Sequence, residues 1–318
     1  MRFIEAPHII LRKALINNDR VSSFAVDVAT FMAQTLFGTS ALALEGGALR
    51  TQVALWSQNI EMCALTEKVI FTDPYQVHEQ NRWTTPQLDS YVQGIRNDAP
   101  LKLAAAYHKT LFLTCTQALL HGDLHTGSVM VKEGSTFVID PEFAFYGPMG
   151  FDVGAMLANL FLSYFSKSAG SDHKYADWIL EQIVTLHVTF VAKFLHLWDT
   201  AAAVEGFAGE VYRNTVYSDQ LLERAQNEFL AGLWRDTLGF TGSKMLRRLV
   251  GISHVEDMES IADPEVRSVC EKRALLFARQ LILASYSNTA ATQFATVESI
   301  LTLARAVYAE EPSAEWPR

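Results

Sequence analysis

HGDLHTGSVMVKEGSTFVIDPEFAFYGPMGFD, residues 121–152, sets His121, Asp123, His125, Asp140, Glu142 and Asp152 among short apolar runs, the composition of a buried polar site. Between its two acidic clusters, VMVKEGSTFVI has two runs rich in Val, Ile and Phe around a Lys-Glu-Gly-Ser turn, and this pattern predicts a β-hairpin. A hairpin returns the chain to its starting point. Asp123 and Asp140 are therefore expected at neighbouring strand ends, although a long stretch of sequence separates them.

Gly122 lets the backbone bend beside Asp123, and the His121 imidazole can bond to a carbonyl or carboxylate and hold that loop in shape. Asp123 in such a loop suits a base or an orienting acceptor. Asp140-Pro141-Glu142 puts two carboxylates around a stiff proline, so in extended backbone both can face one way. Oxygen-rich side chains on one side suit a hard cation, with Mg2+ beside phosphate oxygens the usual occupant. The same residues allow other chemistry. His121 and His125 could hold zinc, though Gly122 and Gly127 argue against the helix that would bring them together. Asp123 with a later acid could flank a glycosidic bond, although nothing else in the chain reads as a glycan cleft. The acids could also merely cap turns, but carboxylates this dense are costly to bury without cations.

With 318 residues, 49% hydrophobic and 19% charged, the chain has ample material for a core and reads as a soluble globular protein. A net charge of −9 and a pI near 5.5 argue against a sequence-independent grip on nucleic acid or on an anionic membrane. Cys63, Cys115 and Cys270 lie far apart with no metal-type spacing, so they read as reduced core thiols of a cytoplasmic protein. The opening MRFIEAPHIILRK, with charges on both sides of a very short apolar stretch and no small-residue cleavage site, is not expected to be a signal peptide. The longest uncharged apolar segment, 153–165, falls short of the ~20 residues a bilayer requires, and a buried core helix is expected there.

Phe3 to Ile16 reads as an extended connector interrupted by Pro7. Ser22 or Ser23 should cap a helix whose apolar face is Phe24, Val28, Phe31, Met32 and Leu36. After a break at Glu45-Gly46-Gly47, a second helix should carry Leu49, Val53, Trp56, Ile60 and Cys63. Residues 66–86 read as a long loop, with Trp83 either a functional contact or the core anchor of a surface strap. From Pro100, a helix through Leu103, Tyr107, Leu111, Cys115 and Ala118 should lead straight to His121. Beyond Asp152 nearly everything reads as helix: Trp178 to Leu197, Leu221 to Leu233, a start at Asp263-Pro264 running towards Leu283, and a last stripe from Phe294 to Val307. Gly239-Phe240-Thr241-Gly242 is expected to precede a short helix with Met245, Leu246 and Leu249 inward. Arg247 and Arg248 fall on its other sides, either solvated or holding phosphate or a polar sugar through bidentate contacts. GFTGSK is only superficially like a phosphate loop, since its glycine-to-lysine spacing is wrong and no strand precedes it. No repeat or linker divides the chain, so one mainly helical domain with a small β-element at its site is expected.

HGDLH followed by an acidic strand end resembles the catalytic loop and metal-binding segment of the protein-kinase-like small-molecule kinases, the aminoglycoside phosphotransferase superfamily that also includes choline kinases. The longer wording is narrower: HGDLHTGSVMV and VIDPEFAFYGPMGFD, with FIEAPHIILRKALI and RRLVGISHVEDMESIAD, are similar to the S-methyl-5-thioribose kinases, over essentially the whole chain. The resemblance implies a mainly α carboxy-terminal lobe of a protein-kinase-like α+β fold, with a small β-hairpin at the active site. It implies ATP-dependent phosphorylation of 5-methylthioribose to 5-methylthioribose 1-phosphate in methionine salvage, with Asp123 on the sugar hydroxyl as catalytic base or orienting acceptor. Asp140, Pro141 and Glu142 would hold the ATP phosphates, the two acids also binding Mg2+. Glu5, Ala6 and Pro7 match the hinge whose backbone meets adenine, Arg247 and Arg248 match a substrate-binding pair, and Trp83 matches a tryptophan loop over the sugar. Members of that group form dimers, so a homodimer is expected beside the small-molecule sugar, with neither nucleic acid nor membrane as partner. Two readings stand beside it: another small-alcohol kinase of the same fold, and a catalytically inactive lobe that binds substrate or a partner chain.

Two departures sharpen the expectation. The wider group has Asn as a metal ligand five residues after the catalytic Asp, whereas Ser128 stands there in this chain, as in the thioribose kinases, which shifts metal binding towards Asp140 and Glu142. The group also carries a β-rich lobe before the hinge, with a glycine-rich cover over the phosphates and a strand lysine. Gly46-Gly47, Lys13 and Lys68 do not stand in such a setting. Residues 1–16 are therefore expected as hinge and connector and 17–318 as the carboxy-terminal lobe, without the amino-terminal one.

Overall fold

Val129 and Val131 are buried while Met130 and Lys132 are not, a period-two pattern that gives this stretch one face on the core. The computed structural model describes residue 4 and residues 6–170, 173–201, 205–207, 218–287 and 289–317. Its strands are β1 (Ile9–Ile10), β2 (Ala118–Leu120), β3 (Val129–Lys132), β4 (Ser135–Val138) and β5 (Phe145–Gly147). β3 and β4 form the expected antiparallel hairpin, with Val129 opposite Val138, and β1 adds to its edge with Ile9 opposite Val131. β2 pairs antiparallel with β5, Leu120 opposite Phe145. Residues 121–128 run from one sheet to the other and 139–144 run back. The hairpin thus brings the two acidic clusters side by side.

The helices are α1 (Leu11–Ile16), α2 (Phe24–Gly38), α3 (Gly46–Trp56), α4 (Ile60–Phe71), α5 (Asp89–Asn97), α6 (Ala99–Thr114), α7 (Gly150–Ser166), α8 (His173–Thr200), α9 (Ser218–Val250), α10 (Glu256–Glu259), α11 (Pro264–Tyr286), α12 (Ala290–Gln293) and α13 (Val297–Ala309). α7 is buried on every side, as its unbroken apolar run requires, and α9 and α11 pack around it. α8 lies against α2. By length and composition α8 is apolar enough to cross a bilayer, but its Ile179, Ile183, Leu186, Phe190 and Phe194 face is buried in the protein. α11 begins as expected: Asp263 accepts the Glu265 amide at 2.9 Å with Pro264 in the first turn.

Elsewhere packing overrides the sequence pattern. Leu11–Ile16 is helical rather than extended, and it buries Leu11, Ala14 and Leu15. Neither Ser22 nor Ser23 caps α2 through its side chain; Ser22 Oγ donates to Glu133 instead. The expected helix through Leu49 and Cys63 is two helices broken at residues 57–59, and the expected loop at 66–86 begins later because α4 runs to Phe71. α6 stops at Thr114, so residues 118–120 are strand where helix was expected, and Leu103 is exposed while Ala104 and His108 are buried. The segment 239–242 does not precede a short helix; it lies inside the 33-residue α9. Its glycines allow close packing: a Cβ on Gly239 would meet His108 Nε2 of α6 at 2.0 Å, and one on Gly242 would meet the Ala278 carbonyl of α11 at 2.5 Å.

Candidate active site

The loop between β2 and β3 is fixed by its own residues before any ligand is considered. Asp152, in the first turn of α7, accepts the amides of His121 at 2.6 Å and Gly122 at 3.0 Å, and burial pushes its pKa up against those bonds. Gly122 has φ +85°, and a Cβ there would meet the Phe143 carbonyl at 2.1 Å, so the turn admits only glycine. His121 Nδ1 accepts the Asp123 amide at 3.3 Å, which leaves its hydrogen on Nε2 to be donated to the Ile139 carbonyl at 2.8 Å. Ile139 in turn donates its amide to the Ser128 carbonyl at 2.9 Å. The end of the hairpin is thereby stitched to both ends of the 121–128 loop.

Ser128 occupies the place where the wider group has a metal-binding Asn. It is buried, and its hydroxyl donates to the Asp123 carbonyl at 3.0 Å, so it braces the loop. His125 Nδ1 accepts the Gly127 amide at 3.0 Å. The ring hydrogen is then on Nε2, which donates to Asp123 Oδ2 at 3.2 Å.

Asp123 Oδ1 lies 3.2 Å from Lys244 Nζ and 3.9 Å from an Arg248 nitrogen. Burial raises the pKa of this carboxyl, but Lys244, the His125 hydrogen bond and Arg248 outweigh it, and Asp123 is held well below the usual carboxylate range. Arg247 and Arg248 stand three and four residues after Lys244 on α9, so one face carries all three. The cavity they enter, about 230 Å³, is also lined by Asp123, His125 and Ser253, and by Leu65, Thr66, Val69 and Ile70 of α4 with Phe143 and Ile252. Three cations face one carboxylate, and among the described residues Arg247 Nε and Arg248 Nε are buried without hydrogen-bond partners. A buried charge in that condition costs several kcal/mol, which an incoming anion offsets.

Asp123, Arg247 and Arg248 are thus brought together, with the arginines buried at 7% exposure rather than on solvated sides of their helix. Lys244 is the residue missed in the sequence, because GFTGSK was weighed as a phosphate loop instead of as the start of a Lys-x-x-Arg-Arg face. Asp140, Pro141 and Glu142 form an exposed turn just beyond Ile139, with Asp140 at φ +66° and the Glu142 and Ala144 carbonyls both held at 2.9 Å by Asn59 Nδ2. Among the described residues neither acid takes a side-chain hydrogen bond or ion pair, and no group of three or more His, Cys, Asp or Glu could hold a metal ion. Ala6 and Pro7 are exposed turn residues leading into β1, and Glu5 lies outside the described residues. Trp83 does not line the cavity: its Nε1 donates to Asp89 at 2.7 Å and the Arg96 guanidinium lies 5.1 Å from its ring centroid. Its strap is tied to the end of the arginine segment, where His254 Nε2 donates to the Arg82 carbonyl at 2.7 Å.

A model of the phosphotransferase enzyme family matches residues 26–177. Methylthioribose kinase 1 of Oryza sativa subsp. japonica is 48% identical over 288 residues, covering 89% of this chain and 66% of that protein. Methylthioribose kinase 2 of the same plant is 45% identical over 307 residues, and the methylthioribose kinase of Escherichia coli O45:K1 (strain S88 / ExPEC) is 40% identical over 304; this chain covers 70% of each. The chain therefore spans about two thirds of the length of these relatives. A solved glucosamine kinase aligns at a TM-score of 0.38 and 14% identity, over 76% of this chain and 58% of that one, too remote to place any element.

Proposed function

This chain belongs to the methylthioribose kinase family, and from that membership we propose that it transfers the γ-phosphoryl group of ATP to the 1-hydroxyl of 5-methylthioribose, a phosphotransferase step of methionine salvage. The observation that carries the reading is the polarised cavity. Its lining combines three buried cations around an ionised carboxylate, suited to phosphate and sugar hydroxyls, with the apolar side chains of Leu65, Val69, Ile70, Phe143 and Ile252, suited to a methylthio group.

Phosphoryl transfer asks a protein mainly for positioning and for charge neutralisation. Asp123, held so acidic, is a weak base. It accepts the hydrogen bond of the attacking hydroxyl, aims the oxygen, and takes the proton late, when the new P–O bond has made that proton acidic. Arg247 and Arg248 hold phosphoryl or sugar oxygens and compensate their charge. His121, Ser128 and Asp152 keep the loop in shape.

Asp140 and Glu142 fit Mg2+ by the chemistry of their donors, two exposed carboxylates with no competing partners. Asp140 and Glu142 would hold the ion, leaving room for phosphate and water ligands, and it would supply positive charge to the phosphates. Ala6 and Pro7, with Glu5, are proposed as the adenine-side hinge, and residues 17–318 as the carboxy-terminal lobe of a kinase-like fold that forms homodimers in the cytoplasm. A coupled kinase assay decides the function: turnover of 5-methylthioribose well above ribose, choline or an aminoglycoside supports it, and the reverse order defeats it.

A further inference from the structure

Lys244 has 3% side-chain exposure, yet among the described residues its ammonium has a single salt-bridge partner, Asp123 Oδ1 at 3.2 Å; it also lies over the Phe151 ring, 4.4 Å from the centroid. Around it stand Asp123 and His125 of the catalytic loop, Asp152 of α7, and Arg247 and Arg248 of its own helix. Burial and the two guanidiniums push its pKa down to about 8 against the pull of Asp123. An ammonium under such pressure is a poor brace. The bracing is also redundant, because His125 at 3.2 Å and Arg248 at 3.9 Å already hold the same carboxylate.

The geometry points to a second position for this charge. Resting on the kinase reading above, we propose that Lys244 is a catalytic cation: it holds Asp123 in the structure described, and it turns to a non-bridging oxygen of the transferring phosphoryl group when the sugar hydroxyl takes Asp123 Oδ1. The hydroxyl oxygen forms the new bond to phosphorus. The bond from phosphorus to the bridging oxygen breaks, and its electron pair leaves on the nucleoside diphosphate. The hydroxyl proton passes to the Asp123 carboxylate, while Lys244 keeps its protons and contributes charge. The exchange leaves neither Asp123 nor the ammonium without a partner at any stage, which a buried pair requires.

The test uses the full chain and three measurements on wild type, K244M and K244R: thermal melting, calorimetric titration with inorganic phosphate across pH 7 to about 10, and turnover of 5-methylthioribose. Removing one charge-assisted contact should weaken phosphate binding by about 10-fold or more in K244M, and should lower kcat by about 100-fold or more with the sugar KM little changed. K244R should keep phosphate binding within about 3-fold. The wild-type loss of phosphate affinity above pH 8 should vanish in K244R, because guanidinium does not titrate in this range. Phosphate affinity in K244M equal to wild type overturns the proposal, and so does an unchanged basic limb in K244R; the latter decides alone if K244M fails to fold. Should wild type ignore 5-methylthioribose, the kinase reading fails while the phosphate titrations still judge Lys244.

Discussion

His125 lies 3.2 Å from Asp123 through Nε2 and Oδ2, and because the Gly127 amide occupies Nδ1, the ring can only present a hydrogen to that carboxylate. The neutral imidazole is therefore the working form. It supports Asp123 without adding a fourth positive charge to a cavity that already holds three.

That form fixes the acid side of the pH profile. Burial pushes the His125 pKa below its ordinary 6.5, only partly opposed by Asp123. The fold thus favours the neutral ring, and activity should be retained through pH 6.5 and lost as pH falls through the depressed value. kcat/KM profiles of wild type and His125→Gln check this, the variant lacking that limb. Asp123→Asn should lower kcat by about 10²- to 10⁴-fold, and because it leaves the buried Lys244 and Arg248 without their anion it should also lower the melting temperature.

Asp140→Asn and Glu142→Gln separate metal binding from folding. Both side chains are exposed and make no side-chain hydrogen bond among the described residues, so melting temperatures should stay within about 2 °C. The Mg2+ concentration needed for half-maximal turnover should rise about 10-fold or more. Chelation with EDTA should abolish turnover and leave the melting curve where it was.

Gly122→Ala meets two obstacles at once, φ +85° and the Phe143 carbonyl 2.1 Å from the new Cβ. A loss of at least about 2 kcal/mol in denaturant unfolding is expected. Activity should fall with it, since the same turn aims Asp123.

Leu65 lines the cavity while remaining 44% exposed, so Leu65→Ser should perturb folding little. Its loss should raise the KM for 5-methylthioribose by about 5- to 30-fold and leave that for ribose nearly unchanged. Parallel assays on the two sugars give the ratio.

Trp83→Phe keeps the ring and removes the hydrogen bond to Asp89. The expected outcome is a stability loss of about 1 kcal/mol with an unchanged sugar KM. A large rise in KM would instead bring Trp83 to the sugar.

How far the sequence speaks depends on whether local pattern or tertiary contact decides an element. The hairpin was legible because Val129 and Val131 alternate with outward residues around a turn, and α11 because Asp263-Pro264 encodes its own start. The Asp123 loop was legible from its glycine and histidines. β2 was not, because Ala118–Leu120 is short and apolar, equally suited to a helix, and becomes strand only by pairing with Phe145–Gly147. The continuity of α9 was hidden by Gly239 and Gly242, which normally punctuate a helix but here admit His108 and the Ala278 backbone. Reading a break there also hid the common face of Lys244, Arg247 and Arg248.

The same two glycines divide the labour of drift across the cavity. α9 is seated so tightly that added bulk at either position collides with neighbouring atoms, whereas α3 has no buried residue and α4 presents Leu65 half in solvent. Divergence is therefore channelled. Added bulk at Gly239 or Gly242 would displace the helix that carries Lys244, Arg247 and Arg248, whereas Leu65 of α4 can be exchanged at little cost to the fold, so the lining of this cavity is freer to change at α4 than at α9.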